Sequence, residues 1–218
     1  KNILKLFSIL FLTLQLSCVQ EKKREEIVVA SAGKIESIDP AQANTIRALQ
    51  ILSALGDTLY KIDRNGNLFP SLAKDLPKVS QDGYLLDIPI KENVFFHDGN
   101  IFNAKAMKFS LDRFMRIGTL NYLLKDKIAA IEIKDEFTLR IKLKKPSSSI
   151  KNLLTSVNLT PVSPSSYSNY KNVFNNKNFV GTGPYFLENF STTQQIVKPF
   201  KNYWGKKPLN KGINFINY

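Results

Sequence analysis

Few residues in this chain are equipped for covalent chemistry. Among 218 residues there is one histidine, His97, and one cysteine, Cys18. A single thiol excludes an intrachain disulfide and a thiolate zinc site, and a single imidazole excludes a His-rich metal centre built from this chain. A Ser-His-Asp arrangement is formally available, but no Gly-x-Ser-x-Gly elbow occurs. His97 lies in Phe95-Phe96-His97-Asp98-Gly99-Asn100, where Asp-Gly between aromatic and apolar residues spells a tight turn. A histidine there is expected to be exposed rather than catalytic. Neither Gly-x-x-x-x-Gly-Lys nor Gly-x-Gly-x-x-Gly occurs, so nucleotide chemistry has no support. The inventory calls for no cofactor and no metal, and it points to binding rather than catalysis.

Composition sets the scale of what must position these groups. With 43% hydrophobic and 11% aromatic residues the chain buries a proper core and is not disordered. Its 31 basic and 18 acidic residues give a net charge of +13, but the basic residues are scattered. A generally solvated cationic surface is therefore expected, with no nucleic acid partner. Lys1, Asn2 and Lys5 lead into an apolar run over residues 6–16, then Ser17-Cys18, then a charged stretch over 21–26. That layout is a secretory signal, residues 1–17, ahead of a mature chain 18–218. The run is too short for the roughly 30 Å hydrocarbon core of a bilayer. Without Lys1 and Lys5, 29 basic residues face 18 acidic ones, +11. Cys18 at the end of the apolar run resembles the acylated cysteine of bacterial lipoproteins, with Gln15 where those signals usually carry Leu; an ordinary cleaved signal is the other reading.

The remaining pattern is α/β. Residues 27–32 read as a buried strand closed by Gly33, followed by the loop Ser37-Ile38-Asp39-Pro40. A helix is predicted over 41–55, with Ile46, Leu49, Leu52 and Leu55 near one face and Gly56 ending it. A short strand at 59–63 turns at Arg64-Asn65-Gly66-Asn67, and Pro70-Ser71-Leu72-Ala73 reads as one helical turn. Strands at 84–90 and 94–96 flank a turn at Glu92-Asn93, and Pro89 places the first at an edge or a bulge. Asn103 caps a helix over 104–117 that buries Met107, Leu111, Phe114 and Met115 and leaves Lys105, Lys108, Asp112 and Arg116 wet. Strands at 128–134 and 137–143 form an antiparallel hairpin, the second alternating strictly between apolar and polar residues. Residues 147–156 carry a short helix, and 163–168 and 170–177 are loop or short helices. Ile213-Asn214-Phe215-Ile216 is an apolar strand that needs a neighbour, and an unpaired apolar edge is expected there.

Taken in order, these segments resemble the extracellular solute-binding proteins of the peptide/nickel class, the substrate-binding components of ABC importers. The matching stretches are Ile38-Asp39-Pro40; Leu68-Phe69-Pro70-Ser71-Leu72-Ala73; Phe95-Phe96-His97-Asp98-Gly99-Asn100-Ile101-Phe102-Asn103-Ala104 running into Phe109-Ser110-Leu111-Asp112-Arg113; Gly181-Thr182-Gly183-Pro184-Tyr185; and Asn202-Tyr203-Trp204-Gly205. Departures are the missing Trp around Leu76-Pro77 and Ala106-Met107 in place of Asp-Val. The resemblance implies a type II periplasmic-binding-protein lobe of mixed sheet, with an inserted α+β subdomain and a second lobe not included in the chain. It also implies a periplasmic protein, anchored by lipid through Cys18 or soluble, monomeric at full length, that binds peptides and delivers them to an inner-membrane permease. A nickel or metal-chelate binder of the same fold, a hydrolase using His97 and a basic envelope protein are the rivals. By the same resemblance Ser31, Ala32 and Gly33 are the ligand-contact candidates, with termination of a core strand as the plainer role. Gly181, Gly183 and Pro184 form a crossing where backbones approach, and Trp204 is an anchor in the core or between lobes.

Overall fold

The computed structural model describes residues 25–33, 35, 37–167 and 179–218. The signal segment, Cys18 and residues 170–177 lie outside the described residues. Along the chain the elements are β1 (Ile27–Ser31), α1 (Ile46–Leu55), β2 (Tyr60–Ile62), β3 (Leu68–Pro70), β4 (Lys78–Val79), β5 (Leu85–Pro89), α2 (Ala104–Ile117) and α3 (Tyr122–Lys125). There follow β6 (Ile128–Asp135), β7 (Thr138–Leu143), α4 (Ile150–Leu153), β8 (Tyr185–Phe190), β9 (Gln194–Pro199) and β10 (Ile213–Asn217), with 3-10 turns at Val157–Leu159 and Pro164–Tyr167. No described helix is long and apolar enough to cross a membrane.

Two four-stranded sheets organise these elements, with β2 and β3 pairing antiparallel as a separate two-stranded one. One has the order β1-β10-β9-β8, with β1 parallel to β10 and the other pairs antiparallel. The other, β4-β5-β7-β6, is antiparallel throughout and lies in sequence between α1 and β8. The second unit is thus an α+β insertion into the first. The core divides in the same way: Ile38, Ile51, Leu52, Leu55, Val197 and Phe215 pack in the β1–β10 lobe, while Ile88, Phe96, Phe102, Met107, Leu111 and Ile141 pack in the insertion.

Local chemistry accounts for the best-defined elements. The Asn103 side chain accepts the Ala106 N–H at 3.1 Å and starts α2, whose buried face carries Met107, Leu111 and Phe114; such a cap contributes about 1 kcal/mol. In β7 the alternation Leu139, Ile141, Leu143 buries one face, and Asp135 and Glu136 turn the hairpin from β6.

Several expectations are corrected. Helix α1 begins at Ile46, not at 41, because the Asp39 carboxylate takes the Ala41 N–H at 3.0 Å in a local turn and Thr45 provides the cap to Ala48 at 3.2 Å. Its buried face is Arg47, Ala48, Ile51, Leu52 and Leu55, so Ile46 faces solvent. Residues 70–73 are not a helical turn: Pro70 ends β3, and the Ser71 and Ala73 N–H groups both donate to the Leu59 carbonyl, which keeps the segment extended beside β2. Strand β5 is internal, yet Pro89 sits at its end, beyond the two residues that β4 pairs, so its missing N–H costs no ladder bond on that side. Residues 94–96 form no strand and make only the bridge Phe95 to Ile101. β1 carries exposed Ile27 and Val28 and is an edge, whereas β10 is paired on both sides, the reverse of what the apolar runs suggest. Residues 164–167 are one 3-10 turn.

Candidate functional site

Strands β1 and β10 run parallel and finish together, Ser31 opposite Asn217. Beyond them the chain turns through Ala32 and Gly33, both exposed, and Gly33 adopts φ +101, a conformation that glycine alone enters without strain. Arg47, in the first turn of α1, reaches this strand end. Its Nη1 donates to the Ser31 carbonyl at 2.9 Å, the Gly33 carbonyl at 3.1 Å and the Asn217 Oδ1 at 3.1 Å. Three of the residues singled out in the sequence therefore form one backbone edge, half-buried at Ser31 and exposed at Ala32 and Gly33, fixed by a guanidinium that sequence reasoning did not flag. The signal was present, since Arg47 interrupts an otherwise apolar helix face.

The loop leading into α1 is held from the insertion. Arg113 of α2 grips Asp39 with both terminal nitrogens, at 2.7 Å from Nη1 to Oδ1 and a second contact from Nη2 to Oδ2, and both side chains are buried. The Asn158 amide donates to the carbonyls of Pro40 and Ala43, each at 2.8 Å. Buried Tyr167 lies with its ring 5.0 Å from the Arg113 guanidinium, and burial, then the Asp39 charge, pushes its hydroxyl far above the ordinary tyrosine range.

At the other end of α1 the chain crosses itself. A methyl group at Gly183 would overlap the Leu55 carbonyl carbon and the Gly56 nitrogen, and one at Gly181 would lie 2.5 Å from the Leu55 oxygen. Glycine is what lets these backbones meet. Thr182, between them, accepts the Asp57 N–H at 3.4 Å, and the buried Asp57 carboxylate takes Lys61 Nζ at 2.7 Å, Tyr203 Oη at 3.1 Å and Trp204 Nε1 at 3.1 Å. Trp204 packs against the core of the insertion, with Lys91 Nζ 3.9 Å over its ring. Desolvation lowers the Lys91 pKa, Asp57 opposing and Lys61 adding to the shift. Pro184 accepts the Phe200 N–H at 2.8 Å.

His97 belongs to this crossing, and is part-buried rather than at a free turn tip. Nδ1 accepts the Gly181 N–H at 3.3 Å, which leaves the proton on Nε2 to donate to the Gly183 carbonyl at 3.1 Å, and the ring meets Phe200 edge-on at 5.0 Å. Desolvation lowers its pKa to about 4 against the opposing pull of the Gly183 carbonyl and the Asp98 and Asp57 charges. The neutral form is the one that fits. Since the unfolded imidazole titrates near 6.5, the unfolded chain binds more protons between pH 6.5 and 4, and the stabilisation is lost as pH falls through that window. Discounted for partial exposure, wild type is expected to lose about 2 kcal/mol more than His97→Asn between pH 7 and 4.5 in urea unfolding; parallel losses would remove the clamp.

Helix α1 thus separates two groups. Ser31, Ala32 and Gly33 meet its first turn through Arg47, while Gly181, Gly183, Pro184 and Trp204 gather beyond Leu55, about 12 Å along the helix.

Residues 67–218 match the model of the bacterial extracellular solute-binding proteins, family 5. The chain belongs to that family. The glutathione-binding protein GsiB of Escherichia coli O1:K1 / APEC is 32% identical over 194 residues, 88% of this chain and 37% of that protein. GsiB of Salmonella typhimurium is 33% identical over 184 residues, 83% of this chain and 35% of its own length. The chain therefore spans little more than a third of these relatives. Listeria monocytogenes OppA bound to peptide superposes with a TM-score of 0.80 at 22% identity, covering 89% of this chain and 43% of that one. NikZ from Campylobacter jejuni in complex with Ni(L-His) gives 0.79 at 23%, covering 89% and 39%. The family 5 chain has the type II periplasmic-binding-protein fold, with the mixed lobe and inserted subdomain expected from its motifs.

Proposed function

We propose that this chain supplies one wall of the cleft in the substrate-binding component of an ABC importer, which captures peptides in the periplasm and passes them to an inner-membrane permease. The observation that carries this reading is the backbone edge Ser31-Ala32-Gly33, exposed at Ala32 and Gly33, at the finish of two parallel strands and fixed by Arg47. Open α/β sheets place ligands beyond the carboxyl ends of their strands. An extended peptide is recognised by main-chain hydrogen bonds with room for varied side chains, a form of strand addition. The relatives support the class: two bind glutathione, itself a short peptide, and OppA holds a peptide. No bond is made or broken; affinity comes from enclosure as two lobes close about a hinge, for which the Gly181–Gly183 crossing is the candidate on this side. Cys18 would tether the protein to the membrane by a lipid.

Titration calorimetry on the protein at its complete natural length, with a dipeptide and tripeptide pool, glutathione and Ni(L-His)2, is the test. Micromolar or tighter binding of a peptide is expected. Binding of the nickel chelate with no peptide bound would replace this reading by the metal-chelate one. Fatty-acid analogue incorporation in wild type and its loss in Cys18→Ser is the expected sign of the anchor; equal labelling would refute it.

A further inference from the structure

The Arg47 guanidinium is only partly used by the chain. The residue is 6% exposed, and among the described residues no carboxylate pairs with it. Nη1 is occupied by the Ser31 and Gly33 carbonyls and Asn217 Oδ1. Nη2 reaches only Gln195 Oε1, at 3.5 Å, and Nε is buried with no acceptor. Nε–H and the neighbouring Nη2–H point the same way and form the fork that takes both oxygens of a carboxylate. A charged donor buried without an acceptor is costly, so the empty fork asks for a partner.

Its position sharpens the question. Arg47 occupies the first turn of α1, where the helix dipole disfavours a cation, and that turn contains no acidic residue to offset it. The same field favours an anion. Ala32, Gly33, Asn44 and Ile46, its neighbours along the chain and across the strand end, are exposed, whereas Nε itself is buried, so a ligand that takes the fork has to enter at the strand end.

We infer that Arg47 is a specificity-determining residue that takes a free carboxylate of a short peptide ligand through Nε and Nη2, while Nη1 keeps the Ser31–Gly33 edge in place. The inference rests on that edge being a wall of the peptide cleft. It selects for peptides carrying a free carboxylate, at the C terminus or on an acidic side chain, within reach of the strand end.

The test is calorimetry on the complete protein with tri-alanine, tri-alanine amide and Ala-Glu-Ala amide, in wild type, Arg47→Lys and Arg47→Met. Wild type is expected to bind tri-alanine at least tenfold tighter than its amide when the C terminus is the source. If a side chain is the source, Ala-Glu-Ala amide outbinds tri-alanine amide by that factor. The ratio should collapse to within about threefold in Arg47→Met and recover in part in Arg47→Lys. Variants that weaken every peptide equally, or that keep the wild-type ratio, would overturn the inference and leave peptide capture standing. If this series fails to bind wild type while the peptide pool does, the inference falls alone; if neither binds, the peptide reading falls with it.

Discussion

Asp39→Ala is expected to lower stability by about 3–5 kcal/mol, the usual consequence of stranding a buried charge by removing its partner. Arg113 is 3% exposed at its side chain and, among the described residues, would be left with the Tyr167 ring 5.0 Å away. The Ala41 N–H would lose its acceptor as well, and with it the turn that delays the start of α1. Much of that cost belongs to the orphaned arginine, so Asp39→Leu combined with Arg113→Met should recover a large part of the loss. Urea unfolding of wild type, Asp39→Leu, Arg113→Met and the double variant supplies the coupling directly. A loss below about 1 kcal/mol in Asp39→Ala would show that the pair does not tie the α1 loop to the insertion.

Gly183→Ala carries the second large effect, about 3 kcal/mol, because the new methyl meets backbone rather than a yielding side chain. The Leu55 oxygen would stand 2.7 Å from it, and the Gly183 N–H already donates to that oxygen at 3.0 Å. Moving the strand away breaks the bond; staying keeps the overlap. For a chain of this size the expected fall in melting temperature is roughly 6–12 °C. Gly99→Ala is the control: its φ is +85 but nothing lies within 4 Å of the added carbon, so only the cost of a left-handed alanine, about 1 kcal/mol, applies. Equal losses at the two positions would mean that the crossing has slack.

What could be read from the sequence was what local chemistry decides. The α2 cap at Asn103, the β7 alternation and the turn at Gly66 each draw on signals within a few residues, and each is found in the structure. The family motifs brought the fold and the family, since five separate stretches in order constrain a topology that no single one does. Pairings across long separations were not legible. Asp39 and Arg113 stand 74 residues apart and both appeared in matched motifs, yet nothing in either neighbourhood names the other. The boundary of α1 was misjudged because a side chain two residues upstream of Ala41 captured its N–H, a competition that helical periodicity does not register. The neutral clamp at His97 was hidden by distance along the chain, since its partners are main-chain groups of residues 181 and 183.

The parallel pairing of β1 with β10 also sets the order in which the molecule can assemble. Ile27 meets Ile213, so 186 residues must be gathered before the first ladder bond between them forms, whereas β6 meets β7 across a turn of two residues. Loop closure grows by about 0.6 kcal/mol for each doubling of length, and contacts this distant slow folding. The insertion, whose strands pair across short turns, can condense while the chain is still emerging; the lobe that carries Arg47 and the Ser31–Gly33 edge has to wait for β10. The proposed recognition surface therefore forms only once residues 213–217 settle between β1 and β9.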